Sequence, residues 1–463
     1  MRLTRCVYIA VLLMLVLSGS AVSQNAVPDV FVGRWWLGFL EEASLPINIK
    51  FEAEGPVLFS PMQSNEAMPA SGWSFKNDTL RLSHKGTGLK MTLAWNAADS
   101  SFAGSFRQNL LHTQIRFVPA DTLYTLVRPQ TPCPPYPYKE IEVVVRRKKA
   151  GVTLAGTLTI PDGEGPFPAV VLVSGSGQQN RDEELLGHKP FAVLADYLTR
   201  NGIAVLRYDD RGAGGSKGDV EKATTLDFAD DAEAMFSWLR KQKRIDSHRV
   251  GIVGHSEGGM IAPIVASRCG KVSFIVMLAG PGCSGADILL QQNERILELA
   301  GVQRRLIDAR IGAMRSFFGM IDTLDVEKYN DAYIALAAEH SKGLTADERK
   351  QAGLRKGDAM AMAMQMGVPW MRCFIKLDNT DYLRKVRCPI LAIGGDRDCQ
   401  VLPCNLDSIA AATQGRAYTV LMPGLNHLMQ HCQTGATSEY MAIEETMAPE
   451  VMDLISGFIH KQL

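Results

Sequence analysis

The sequence predicts an α/β fold: a mostly parallel sheet covered by helices, interrupted by a helical cap insertion and preceded by a small all-β domain. Three observations predict it. Short period-two runs fill residues 27–128. Apolar runs then alternate with amphipathic stretches from Ile141 to the C-terminus. Between the two patterns lies a cluster of Pro129, Pro132, Pro134, Pro135 and Pro137. Proline at this density stiffens a chain and removes ladder donors, so the domain boundary is expected there.

The first element is a leader. Arg2 and Arg5 precede the apolar run Val7 to Leu17, and Ala21-Val22-Ser23 follows it. The run is too short to span a bilayer. A basic start, a short apolar stretch and small residues predict an export signal over residues 1–23, hence a periplasmic or extracellular protein without stable membrane insertion. Export permits disulfides, and one bridge among Cys399, Cys404 and Cys432 is expected.

The β domain is expected over residues 24–130. Ile47 to Phe51, Val57 to Phe59, Thr79 to Leu82, Met91 to Trp95 and Ile115 to Val118 alternate in polarity. Gly55-Pro56, Asn77-Asp78 and Gly86-Thr87-Gly88 supply turns. A small antiparallel barrel or sandwich is the expected arrangement. Its expected role is that of a stabilising accessory domain.

The larger domain is expected over residues 131–463. Ile141 to Val145 and Thr153 to Ile160 read as a hairpin. Ala169 to Val173, Ile203 to Arg207, Val250 to Val253, Phe274 to Leu278, Ile390 to Ile393 and Tyr418 to Met422 read as buried strands between helices. Residues of about 284–385 break that rhythm. Rich in Ala, Leu, Met, Arg and Glu, they read as the cap.

Composition narrows the function classes. The chain carries 49 basic and 49 acidic residues, and 46% of it is hydrophobic. No basic block calls for nucleic acid. Gly175-Ser176-Gly177 and Gly212-Ala213-Gly214 are not dinucleotide fingerprints, because Asn180 and Lys217 stand where a third glycine is needed. No H-E-x-x-H pattern occurs, and no metal or organic cofactor is implied.

Gly254-His255-Ser256-Glu257-Gly258 carries the expected chemistry. It fits G-x-S-x-G between a strand and a helix, the setting of a nucleophilic serine on a tight turn. The competing reading is a helix N-cap serine. A serine hydroxyl needs an imidazole to take its proton. His427 follows the last strand through Pro423-Gly424-Leu425-Asn426, closer to the strand end than its rival His431. His255 is expected only to pack. The imidazole needs a carboxylate partner. Asp398 is preferred over Asp396 in the loop after Ile390 to Ile393, and Asp396 is expected to cap or to pair with Arg397. The backbone amides of Glu257 and of Ser176, with Gly177 as the alternative, are the expected oxyanion donors.

These blocks resemble bacterial α/β-hydrolase esterases, in the serine aminopeptidase-like (S33-like peptidase) branch. Ser174 to Gly177 with Asn180-Arg181-Asp182 resembles the oxyanion loop, with Ser174 where many relatives carry His. Tyr208-Asp209-Asp210-Arg211-Gly212 with Gly214 and Ser216 resembles the D-x-R-G-x-G-x-S turn, and Arg211 is expected to tie loops together. The resemblance covers residues 138–463. It implies an α/β-hydrolase fold, the Ser256, Asp398 and His427 triad, and cleavage of small-molecule carboxylic esters through an acyl-enzyme. The alternatives are a serine aminopeptidase or other amide hydrolase, a polysaccharide deacetylase with a glycan-binding β domain, and a ligand-binding protein that kept the fold.

Overall fold

The computed structural model describes residues 27–40, 45–60, 64–108 and 111–462. The expected leader lies outside the described residues. Two compact units divide between Val127 and Arg128.

Among the described residues the first unit has nine strands: β1 (Trp35–Leu40), β2 (Leu45–Glu52), β3 (Gly55–Ser60), β4 (Ser64–Pro69), β5 (Gly72–Lys76), β6 (Thr79–His84), β7 (Leu89–Asn96), β8 (Ser101–Gln108) and β9 (Leu111–Ala120). They form one antiparallel sheet in the order β4-β3-β2-β1-β9-β8-β7-β6-β5. This is larger than the small barrel or sandwich expected. In β7, Leu89, Met91 and Leu93 are buried while Lys90, Thr92 and Ala94 are exposed, the period-two signature of a half-buried strand. The buried face gathers an aromatic core. Phe31 packs within 4.8–5.6 Å of Trp36, Phe51, Phe75, Trp95 and Phe102.

The second unit carries an eight-stranded mixed sheet. Its strands are β10 (Tyr138–Arg147), β11 (Val152–Pro161), β12 (Phe167–Val173), β13 (Ala204–Tyr208), β14 (Ile245–His255), β15 (Ile275–Leu278), β16 (Ile390–Gly395) and β17 (Ala417–Met422). The order is β10-β11-β13-β12-β14-β15-β16-β17, an α/β-hydrolase arrangement. β10 and β11 are antiparallel to their neighbours, and the pairings from β13 to β17 are parallel.

The centre of this sheet is buried on both faces, so β12, β15 and β16 read as nearly unbroken apolar runs. Along β12, Ala169, Val171 and Val173 face one helical layer and Val170 and Leu172 the other. The first layer includes α2 (Thr225–Leu239), α3 (Glu257–Arg268) and α11 (Cys404–Ala412). It brings Met235, Phe236, Met260, Ile264 and Ile409 to the core. The second is α1 (Pro190–Arg200) with α12 (Pro449–Lys461), which bring Leu194, Leu198, Val451 and Ile455. α2 starts where the sequence dictates. The Thr224 side chain accepts from the Asp227 amide, and the Asp227 carboxylate accepts from the Thr224 amide, a reciprocal cap.

Seven helices lie between β15 and β16: α4 (Gly285–Leu299), α5 (Arg304–Phe318), α6 (Tyr329–His340), α7 (Ala346–Gln351), α8 (Lys356–Gly367), α9 (Pro369–Lys376) and α10 (Asn379–Leu383). They build a core of their own around Leu306, Met314, Phe317, Tyr333 and Met366. The proline segment is docked on the second unit rather than free. Gln130 Nε2 donates to the Met447 carbonyl at 2.7 Å, and its Oε1 accepts from the Met447 amide at 3.0 Å.

The expected disulfide is absent among the described residues: all eight described cysteines are free thiols. Cys404 Sγ faces Gln291 and Cys432 Sγ faces the Gly424 carbonyl, so the expected partners point at different neighbours. No described helix is long and apolar enough to cross a membrane.

Candidate active site

Ser256 sits between the end of β14 and the start of α3 with φ 52° and ψ −117°. This left-handed conformation is strained for a residue with a side chain, and the surrounding chain has to enforce it. Two glycines allow that. A Cβ on Gly254 would stand 2.0 Å from the Gly258 carbonyl oxygen, and one on Gly258 would stand 2.0 Å from the Val173 carbonyl oxygen. The turn therefore closes only without those side chains. Its Ser256 amide donates to the Leu278 carbonyl at 2.9 Å, which ties it to β15.

The three residues expected to work together meet here. His427 Nε2 lies 3.1 Å from Ser256 Oγ, and His427 Nδ1 lies 2.8 Å from Asp398 Oδ2. The carboxylate only accepts, so Nδ1 carries the hydrogen and Nε2 is left to accept the serine proton. Asp398 is held in turn: its Oδ1 accepts from the Gln400 amide at 2.7 Å and the Val401 amide at 2.9 Å. Asp398 and His427 are both buried.

The rivals fall elsewhere. His431 is exposed and pairs with Glu445 at 3.0 Å and Glu450 at 2.9 Å. Asp396 does not pair with Arg397. Its Oδ1 accepts from the Gly424 amide at 2.7 Å and joins the acid loop to the base loop, while Arg397 reaches the Cys432 and Gln433 carbonyls. Asn426 shapes the turn that carries His427 by accepting from the Leu428 and Gln430 amides.

The loop after β12 comes up against Ser256. A Cβ on Gly175 would stand 3.1 Å from Ser256 Cβ, and the next residue, Ser176, is exposed. Glu257 opens α3, where the first amides of a helix have no intrahelical acceptor. The Gly175 amide, by contrast, is occupied by Glu183 Oε1 at 2.6 Å.

The D-x-R-G turn holds this loop through residues other than the one expected. Asp209 accepts from the Arg181 amide at 2.7 Å, from the Arg181 guanidinium and from the Gly215 amide at 2.9 Å. Asp210 accepts from Ser174 Oγ and the Gln179 amide, each at 3.0 Å. Burial pushes the Asp210 carboxyl up to about 8, against these donors. Arg211 instead reaches α2, where Nε meets Asp231 at 2.7 Å.

Four further residues border the site and were not singled out in these roles from the sequence. Trp370 of α9 donates from Nε1 to Glu257 Oε1 at 2.7 Å, and Thr225 Oγ1 donates to the same atom at 2.7 Å. The Ser176 side chain also acts to favour the ionised form of this carboxyl. Burial raises the Glu257 carboxyl above its ordinary range in spite of these donors. Glu183 and His255 pair at 2.9 Å beside His427, whose carbonyl oxygen lies 3.0 Å from His255 Nε2. Each depends on partners far away in sequence, so no local pattern marks them.

Residues 150–428, more than half of the chain, match the X-Pro dipeptidyl-peptidase (S15) family. The chain belongs to the S15 family. S15 takes the place of the serine aminopeptidase-like branch that the motifs suggested, and the resemblance to bacterial esterase-like hydrolases stands. This S15 chain is 40% identical over 145 residues to the esterase EstD of Thermotoga maritima. That stretch covers 30% of the chain and 33% of the esterase, so the match spans about a third of that relative. Among solved structures, a hypothetical protein from Pseudomonas aeruginosa is 16% identical, with 74% of this chain and all of that one covered and a TM-score of 0.45. Est1E from Butyrivibrio proteoclasticus, solved with ferulic acid, is 16% identical over 69% of this chain and 98% of that one, with a TM-score of 0.41.

Proposed function

We propose that this chain is an exported serine hydrolase that cleaves carboxylic esters. The observation that carries the reading is the hydrogen-bonded run from Ser256 through His427 to Asp398, at 3.1 and 2.8 Å, on a strained strand-to-helix turn. Ser256 Oγ attacks the ester carbonyl carbon while His427 Nε2 takes its proton. Asp398 keeps Nδ1 protonated and stabilises the imidazolium. The Glu257 and Ser176 amides receive the tetrahedral oxygen, each donor contributing about 3 kcal/mol. The tetrahedral intermediate collapses to an acyl-enzyme, and the alcohol leaves with the proton from His427. Water, deprotonated by the same imidazole, then releases the acid.

An ester is favoured over an amide because its alkoxide is the better leaving group. Committed acids around the nucleophile support the same choice. Glu257 is taken by Trp370 and Thr225, and Glu183 by His255 and Gly175. Neither carboxylate is left to grip a peptide amino terminus. The S15 match favours a second reading, release of an N-terminal X-Pro dipeptide. Steady-state kinetics on p-nitrophenyl acetate and butyrate beside Gly-Pro-p-nitroanilide and Ala-p-nitroanilide separate the two. Turnover of the esters alone is expected. Faster turnover of Gly-Pro-p-nitroanilide would replace the ester reading with the peptidase one.

A further inference from the structure

We propose that Glu183 and His255 form a buried ion pair that positions the base, clamping the loop of His427 to the oxyanion loop. The inference rests on the reading of His427 as the base.

His255 ends β14, one residue before the nucleophile, with its ring buried. Nδ1 lies 2.9 Å from Glu183 Oε1, and Nε2 lies 3.0 Å from the backbone carbonyl oxygen of His427. A carboxylate oxygen only accepts, and so does a carbonyl oxygen. Each ring nitrogen must therefore donate, and an imidazole with a hydrogen on both nitrogens is a cation. Glu183 Oε1 also accepts the Gly175 amide at 2.6 Å, so that oxygen receives two donors, as an ionised carboxylate does. Burial opposes the charge on His255. The Glu183 carboxylate and the His427 carbonyl outweigh it and hold the imidazole up at about 9.

Three segments distant in sequence converge on this pair. Glu183 takes the Gly175 amide of the oxyanion loop, His255 adjoins Ser256, and the His427 carbonyl belongs to the base itself. The two imidazole rings stand 5.0 Å apart between centroids. The charged groups facing His255 are Glu183 from the loop after β12 and Asp398 from the loop after β16, which acts in the same direction. The pair is neutral as a unit. It thereby fixes the backbone of His427 without setting a net positive charge beside the imidazolium that His427 becomes during acyl transfer. Glu183 adopts φ 51°, a left-handed conformation that the contact to Gly175 and the pairing with His255 help to hold.

The pair touches no reacting atom, so both are positioning residues. The test is nitrogen–proton correlation NMR of the full chain labelled with ¹⁵N-histidine, at pH 7.5. His255 is assigned by its loss in His255→Gln, or, where that variant does not fold, by through-space contact with the His427 ring. The expected spectrum shows hydrogens on both His255 nitrogens. A singly protonated His255 would overturn the proposal. The kinetic arm compares Glu183→Gln with the unaltered chain on p-nitrophenyl acetate. The acylation rate constant should fall by about ten- to a hundredfold, as expected of a base displaced by a fraction of an ångström, with little change in KM. A rise in KM at an unchanged acylation rate would also overturn it. If the unaltered chain does not turn over the ester, the functional reading fails on its own and the NMR arm still decides the ion pair.

Discussion

Replacing Asp398 by Asn isolates what the buried carboxylate does. The side chain keeps its size, and Oδ1 can still accept from the Gln400 and Val401 amides at 2.7 and 2.9 Å. The amide NH2 then occupies the Oδ2 position, 2.8 Å from His427 Nδ1. The opposite orientation would set that NH2 against two backbone N–H groups, so it is disfavoured. An NH2 donates, and His427 must present Nδ1 as the acceptor. The hydrogen moves to Nε2, which can no longer take the proton of Ser256 at 3.1 Å. The loss expected for a base locked in the wrong tautomer is about 10⁴ in kcat, or about 5 kcal/mol of transition-state stabilisation. KM should change little, because the geometry is preserved. The assay is steady-state hydrolysis of p-nitrophenyl acetate at pH 7.5, with circular dichroism to confirm the fold. A loss smaller than about tenfold in a folded variant would refute the assignment of Asp398.

Three further outcomes follow from packing and charge. Gly258→Ala places a Cβ 2.0 Å from the Val173 carbonyl oxygen, so the turn must open. A loss of at least about 2 kcal/mol in unfolding free energy, read from denaturant titration, is expected, together with loss of activity. Trp370→Phe removes the indole N–H from buried Glu257, which should cost about 1–3 kcal/mol in urea unfolding and alter substrate affinity at the cap. Burial pushes the His188 imidazole down to about 4, whereas the unfolded chain takes up that proton near 6.5. The unfolded state binds more protons between those values, so this site lowers stability as pH falls from 6.5 to 4. His255 acts in the opposite sense: the native state keeps its proton up to about 9, so its contribution is full below 6.5 and is lost as pH rises to 9. Urea midpoints against pH, with His188→Gln flattening only the acid side, check both signs.

What was legible in the sequence was local. The strand, glycine-flanked serine and helix around Ser256 form one continuous segment, and the strand-then-loop contexts of Asp398 and His427 are equally short-range. The sheet of the second unit was legible because burial on both faces leaves unbroken apolar runs such as Ala169 to Val173. In the first unit, β4, β5 and β8 were not foreseen; β8, Ser101–Gln108, mixes Ser, Gly and Arg and has weak alternation. The pairing of Glu183 with His255 spans 72 positions and that of Trp370 with Glu257 spans 113, distances over which no motif carries information. Arg211 was misread for a related reason. Its motif names a turn, but only the packing of α2 decides that it meets Asp231 while Asp209 and Asp210 hold the oxyanion loop. A bridge among Cys399, Cys404 and Cys432 is expected because their loops should lie close together in the fold, yet the directions of their side chains are set by α11 and by the loop after β17.

The central claim is that the Ser256 hydroxyl is made nucleophilic by His427 in this fold. A fluorophosphonate probe followed by peptide mass spectrometry tests it most directly. One phosphonylated residue is expected, Ser256, with labelling abolished in Ser256→Ala and strongly slowed in His427→Ala. Folded, unaltered protein that stays unlabelled, or that carries the label on another residue, would contradict it.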